Sequence, residues 1–305
     1  MFEQLKMFTG RNLKLYLRDK SAVFFSLLSM LIVIGLMVLF LGDLQTEQVT
    51  SLLQRFPARD AALDEKNAER LIYQWTCAGI LSINAVTVTL AVLASMIKDR
   101  VSGRLNAVYT APVSRLTIAS SYVLAAWAAS VLLCLLTLVL TEGYGSAALD
   151  MQWFSAEEHL QLAGMIAANS FTYATFMYTA AVLIKSEGAW SGLGTVVGTL
   201  TGFLGGIYLP IGQLSEGVGN FMKCTPIIYG TAMFRDVMTK PVMDTLFEKI
   251  PEETVNAYRE IMGIDLFVFD REVTAGMDLA LLLIFGAVFL MIGVCAVTYG
   301  KRTDR

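Results

Sequence analysis

KDRVSGRLNAVYTAPVSR, residues 98–115, is a short charged island between two apolar runs, each long enough to cross a bilayer. Lys98, Arg100, Arg104 and Arg115 place it on the cytoplasmic side, because inner loops collect Lys and Arg. Gly103 and Pro112 interrupt a helix at two points, so the island reads as helix, turn and short helix. Outward from the island, the flanking runs decide the class. A crossing helix needs about 20 apolar residues, and runs of that kind recur at 22–42, 71–97, 116–140, 159–184, 189–209 and 277–299. The reading is an all-α membrane protein of six transmembrane helices with both ends in the cytoplasm.

Composition agrees. Of 305 residues 55% are hydrophobic and 16% charged, and the mean hydropathy is +0.59, more apolar surface than a soluble domain carries. Four segments read as cytoplasmic: 1–21, the island, 185–188 and 300–305. They hold more than half of the 23 Lys and Arg, although the external segments 43–70, 141–158 and 210–276 are together longer. The net charge of −3 says little, since in a membrane protein the side on which charge lies matters more than its sum. The four cysteines, Cys77, Cys134, Cys224 and Cys295, have no CxxC spacing, which argues against a metal site or a disulfide framework.

Residues 1–21 form an amphipathic helix, with Phe2, Leu5, Leu13, Tyr16 and Leu17 on one face and Arg11, Lys14 and Arg18 on the other. Such a helix lies in the membrane interface with its basic face toward anionic headgroups. No short apolar core with a cleavage site precedes the first span, so that span is expected to direct insertion. A helix of good formers is expected within 58–70. Residues 241–263 read as a surface helix region, with Leu246, Phe247 and Ile250 as an apolar face.

The island also carries an acid–Arg pair, Asp99 and Arg100, then Gly103 and Leu105. Thr110, Pro112, Val113, Ser114 and Arg115 follow, opening a membrane helix. This arrangement resembles the first cytoplasmic loop of the ABC-2 type exporter permeases. A second signature lies at 202–238, with Pro210, Pro226, Tyr229 and Arg235 in the order found at the end of the fifth span in that family. The resemblance covers the whole chain. It departs from the family at Asp99, where a Glu is usual, at Val101, where a further acid is usual, and at Arg104, where a Thr is usual.

Several expectations follow from the resemblance. The permease pairs with a second copy, identical or related, and with separate ATP-binding subunits that hold ATP and Mg; this chain itself carries no cofactor. Asp99, Arg100, Gly103, Arg104, Pro112 and Arg115, with Arg11 and Arg18 of the N-terminal helix, are the candidate contacts to the ATPase. Charge reversal at Asp99 or Arg100 is expected to uncouple transport without lowering membrane expression. The second and fifth spans line a central cavity, which makes Gln74, Asn84, Thr87, Thr195 and Thr199 candidate lining residues. Pro210, Pro226, Tyr229 and Arg235 mark an outer gate. The bacterial plasma membrane is the implied location, with the lipid bilayer and no nucleic acid as surroundings.

The residues themselves leave alternatives open. Gly194, Gly198, Gly202 and Gly206 fall on one helix face, where small residues let backbones approach; the stripe serves either a contact between two permeases or packing within one. Residues 211–233 are too interrupted for a straight span. They form either a re-entrant or interfacial pair of short helices or a plain external loop, since broken backbone at membrane depth needs protein or water to cover it.

No P-loop motif is present, so the chain is not expected to hydrolyse ATP itself. Asp278 is the one Asp, Glu, Lys or Arg in the six spans, at the edge of the last, which argues against an ion-coupled carrier. His159 has no nucleophile or metal partner at a useful spacing. The reading is an exporter permease for an amphipathic drug, antibiotic, peptide or lipid-like substrate. The alternatives are a non-transporting sensor or immunity protein and an ATPase-independent carrier.

Overall fold

The computed structural model describes residues 2–36, 42–57, 59–105, 113–269 and 271–299. The end of the first expected span, Thr110 and Pro112 of the island, and the tail 300–305 lie outside the described residues. The chain begins with α1 (Phe2–Arg18) and α2 (Lys20–Leu36), followed by α3 (Gly42–Leu53).

The longest element is α4 (Ala61–Val101), capped by Asp60, whose carboxylate accepts from the amides of Ala62 and Leu63. Nothing in AALDEKNAER, residues 61–70, breaks a helix. The surface helix expected there and the span at 71–97 are therefore one rod. At its length of about 60 Å, roughly twice the hydrocarbon thickness, part of α4 must stand outside the membrane. The same happens in α5 (Arg115–Leu149), which starts at the Ser114 cap and runs past Leu140 until Asp150 turns left-handed at φ 54°. The segment 141–149, expected as loop, is helical. That extension lets Glu142 meet His159 Nε2 at 2.9 Å.

A capping box of Ser155 and Glu158 opens α6 (Ala156–Leu183), and Ser186 caps α7 (Glu187–Leu204). A 3-10 turn at Ile211–Gln213 leads to α8 (Glu216–Lys223) and α9 (Pro226–Leu246), then α10 (Glu252–Ile261). A two-stranded antiparallel hairpin that the sequence did not suggest, β1 (Leu266–Val268) and β2 (Arg271–Val273), pairs Leu266 with Val273. The last element is α11 (Ala275–Tyr299).

Among the described residues three helices are long and apolar enough to cross a membrane: Ala61–Val101, Arg115–Leu149 and Ala275–Thr298. Of the other three expected spans, the first, at 22–42, lies partly outside the described residues, and two fall short for identifiable reasons. α6 is diluted by Asn169, Ser170, Thr172, Thr175 and Thr179, all buried. In α7 the diluting residues are glycines and threonines.

α4 is the axis of the bundle and packs on α5, α6 and α9. One core runs along it from Tyr16 and Ile97 to Leu138 and Phe234. A second core caps the α3 side: Val49 and Leu53 of α3, Leu71 and Trp75 of α4, and Met243, Leu246 and Phe247 at the end of α9. The apolar face expected at 246–250 is thus buried in this cap. α9 runs antiparallel to α4, since Ser82 Oγ donates to Ile227 O and Arg59 donates to Leu246 O at 2.7 Å. Its first turn therefore sits deep in the bundle and its last turn at the cap.

Candidate functional site

At the end of α4 remote from the cap, Asp99 is 3% exposed. A buried carboxylate is costly unless its oxygens are satisfied, and here donors from three segments converge. Arg11 Nη2 reaches Oδ2 at 2.9 Å, Tyr122 OH reaches the same oxygen at 2.8 Å, and Arg104 Nη1 lies 3.4 Å from Oδ1. Asn12 adds a bond from α1 to Ser121 of α5 at 3.3 Å. Burial works against the Arg11 charge, but the hydrogen bond and negative charge of Asp99 raise its pKa above the ordinary arginine value. Tyr16 OH and Ser26 Oγ, 2.6 Å apart, continue the seam to α2.

This docking rotates α1 from the face assignment read off its sequence. Asn12 and Tyr16 are buried, Arg11 turns inward, and Phe2 and Leu17 are exposed. Polar bonding to α4 and α5, rather than apolar burial, sets the rotation. The exposed apolar side chains suit the bilayer surface that such a helix occupies.

Arg100 points the other way from Asp99. Its Nη1 donates to the carbonyl of Ala181 at 2.8 Å and to that of Ile184, satisfying acceptors that a helix C-terminus leaves open. One turn of α4 thus holds α1 and α5 through Asp99 and α6 through Arg100. The helix then stops at Gly103, whose φ of +75° is costly for any residue with a Cβ. Among the candidate coupling residues Arg11, Asp99 and Arg100 are internal struts, while Arg18, Arg104 and Arg115 are exposed. Pro112 lies outside the described residues.

The candidate lining residues divide. Gln74 and Asn84 are buried within the subunit, Asn84 donating to Thr137 of α5 at 2.7 Å, and Thr87 donates to Ser26 O of α2 at 3.1 Å. Asn84 and Thr87 thus bond to helices of their own chain. Thr195 and Thr199 are exposed, each donating to the carbonyl four residues back, at 3.2 and 2.9 Å. The glycine stripe also splits. Gly194 admits Leu90, with 3.2 Å left for a Cβ, Gly202 admits the ring of Tyr208, and Gly198 faces open space. A face of α7 bearing Thr195, Val196, Thr199 and Leu200 is exposed among the described residues.

The outer candidates form a knot. Arg235 is fully buried and donates to Gly206 O at 2.9 Å and Met262 O at 3.1 Å, with its guanidinium 3.9 Å over the Trp75 ring. Trp75 Nε1 donates to the same Met262 carbonyl at 2.8 Å. Gly206 can offer that carbonyl because its φ is +61°. Pro226 opens α9 at a position that needs no amide donor. Tyr229 OH donates to Lys223 O, tying α8 to α9, and its ring stacks on Phe285. Pro210 caps the 3-10 turn. Nearby, Arg259 bridges Asp236 and Asp265, each at 2.7 Å, and its hydrogen bond to Asp265 leads the causes that raise its pKa.

Sequence reasoning missed Tyr122, Asn12, Ser121 and Trp75 as partners, and no spacing signal marks them. A family model described as an ABC-2 family transporter protein matches residues 43–295. No curated protein matches the chain at a significant level.

Proposed function

The chain belongs to the ABC-2 transporter family, and from that premise we propose that it is the permease of an exporter for amphipathic substrates, driven through its inner helix ends. As a membrane permease of an ABC transporter it works with an ATP-binding partner. In the proposed arrangement six helices span a bacterial plasma membrane with both termini inside. Two permeases meet across the exposed face of α7, and α8 with the first turn of α9 forms a re-entrant pair at the outer side.

The observation that carries this reading is the buried strut at Asp99. A shift between inward-open and outward-open states from 1:99 to 99:1 needs about 5.5 kcal/mol of bias. An exposed ion pair is worth only ~0–1 kcal/mol and would slip under such a load. A carboxylate with donors from α1, α5 and its own turn, beside an arginine gripping the end of α6, moves those helices as one body. Force applied to α1 or to exposed Arg104 then reaches the bundle without being dissipated.

The test is purification of the full complex followed by reconstitution. An ATP-binding subunit is expected at stoichiometric yield, together with ATP-dependent loading of an amphipathic dye into inside-out vesicles. A complex that never contains an ATPase, or vesicles that load equally without ATP, would overturn the proposal.

A further inference from the structure

On the cap side, a cavity of about 330 Å³ lies between the start of α3, α4 and the end of α5. Its charged rim is Asp43, Glu65 and Glu69. None of the three forms an ion pair among the described residues. The neighbouring cations are committed elsewhere: Lys66 to Asp150 at 3.4 Å, and Arg70 to the carbonyls of Leu149 and Asp150 at 2.9 and 2.8 Å. Glu65 and Glu69 are four apart on one helix, a like-charge spacing that destabilises it. A local rule broken without compensation inside the chain is the mark of a functional surface.

The wall below the rim has its own chemistry. Glu65, Glu69, Tyr73 and Cys77 follow one another at four-residue steps, a stripe about 18 Å long that passes from carboxylate to aromatic ring to apolar side chain. Tyr144 of α5 faces Tyr73 with ring centroids 5.6 Å apart. Two hydroxyls of this wall have spent their protons: Tyr73 donates to Thr141 O at 2.7 Å and Thr76 to Ile72 O at 2.8 Å. A second, smaller cavity shares Tyr73 and Cys77 with the first. Gln74, 5% exposed, lines it, and its Oε1 has no hydrogen-bond partner among the described residues.

We propose that this groove binds an elongated amphipathic amine, its ammonium at Asp43, Glu65 and Glu69 and its apolar body along Tyr73, Tyr144 and Leu149. The rim carboxylates accept from no protein donor among the described residues, so the fitting ligand brings donors and positive charge. The tyrosine faces attract a cation and accept an apolar chain equally well. An anionic or uncharged amphiphile leaves the charge of the rim uncompensated. The site goes beyond the export reading and does not depend on it, because no residue of α7 lines it and it needs no ATPase.

Dansylcadaverine, a fluorescent primary amine, and its N-acetylated form make a matched pair of probes. The full-length chain in nanodiscs of zwitterionic lipid is titrated with each, and empty discs supply the background. Saturable binding of the amine is expected, weakening as salt rises. The acetylated probe should bind about tenfold more weakly, the scale of one desolvated charge contact. E65Q/E69Q should weaken the amine by a similar factor, with no loss of folded protein, since it removes a repulsion. Tyr144→Ala should weaken both probes. Equal binding of the two probes to the wild-type chain, or unchanged binding to E65Q/E69Q, overturns the proposal. The wild-type comparison stands even if a variant fails to fold, and a failed export assay leaves it untouched.

Discussion

The two ends of α4 solve the same problem in opposite ways. Near Val101 a buried anion, Asp99, is held by side-chain donors from α1, from α5 and from its own turn. Near the cap a buried cation, Arg235, is held by backbone carbonyls and the Trp75 ring, and among the described residues none of its hydrogen bonds goes to a carboxylate. An anion held by side chains from separate segments ties those helices to one another, so that they move together. A cation held by carbonyls of three separate positions fixes backbone, and backbone does not move without unfolding the loops that carry it. The Asp99 end is therefore built as a joint and the Arg235 end as a clamp.

The comparison breaks most visibly at the clamp. Arg235→Ala strips donors from the carbonyls of Gly206, Met262 and Gly263 and leaves a void over Trp75. Unpaired buried acceptors and a core cavity together predict a loss of about 4 kcal/mol or more. Thermal unfolding in detergent should show it, with little monodisperse protein left. Arg235→Lys should rescue only a small part, because an ammonium cannot fork to separate carbonyls while stacking on a ring. An unfolding temperature close to that of the wild type would mean that the clamp is decorative.

Next comes the joint. Asp99→Lys sets a cation against Arg11 and Arg104 in a site that is almost fully buried. Breaking a buried pair costs about 3–5 kcal/mol, and the lower end applies because the Arg11 side chain is 37% exposed. The expected sign is release of α1, read as faster tryptic cleavage at Arg11 and Arg18. Asp99→Asn keeps an acceptor for Tyr122 and should cost clearly less. This changes the expectation drawn from the sequence, where reversal at Asp99 was to uncouple transport and leave expression intact. A reversed charge at that position damages folding first.

What the sequence made legible, and what it hid, follows from the same physics. Apolar runs located the helices because burial or lipid demands them. Their extensions beyond the apolar stretch were less legible: the helix expected within 58–70 was not seen to be one rod with the span, and 141–149, polar and read as loop, is helical. Asp99, Arg100 and Arg235 were singled out by resemblance to family signatures, yet their partners were not. Arg11 and Asp99 are 88 positions apart, a distance at which no periodicity operates. The acceptors for Arg100 and Arg235 are carbonyls, which every residue possesses and no letter of the sequence records. The capping cluster of Trp75, Met243 and Leu246 was likewise divided among segments read as span, loop and surface helix.

A smaller effect is expected at Arg100. Arg100→Gln leaves the carbonyls at the end of α6 to water and removes a cation from a helix C-terminus, for a loss of about 1–2 kcal/mol. Hydrogen exchange should then quicken in the last turn of α6 and nowhere along α9. Protection lost at both ends of the molecule would mean that joint and clamp are one unit, contrary to the division drawn here.

The smallest effect on stability separates holding from coupling. Arg104 sits beyond the Gly103 break with its side chain 69% exposed, and its 3.4 Å approach to Asp99 is the longest in the cluster. Arg104→Glu sets a carboxylate near Asp99, but the side chain is exposed and solvent screens it, so the unfolding temperature should fall by only a few degrees, less than for Asp99→Lys. If the island passes force from the ATP-binding partner, this variant should nonetheless lose most ATP-driven transport, because reversing an exposed cation repels whatever acidic surface docks there. Arg11→Gln gives the contrast: it weakens the joint itself, so transport and stability should fall together. Were Arg104→Glu to transport normally while Arg11→Gln did not, the load would enter through α1 alone. The turn after α4 would then be a passenger of the joint rather than its handle.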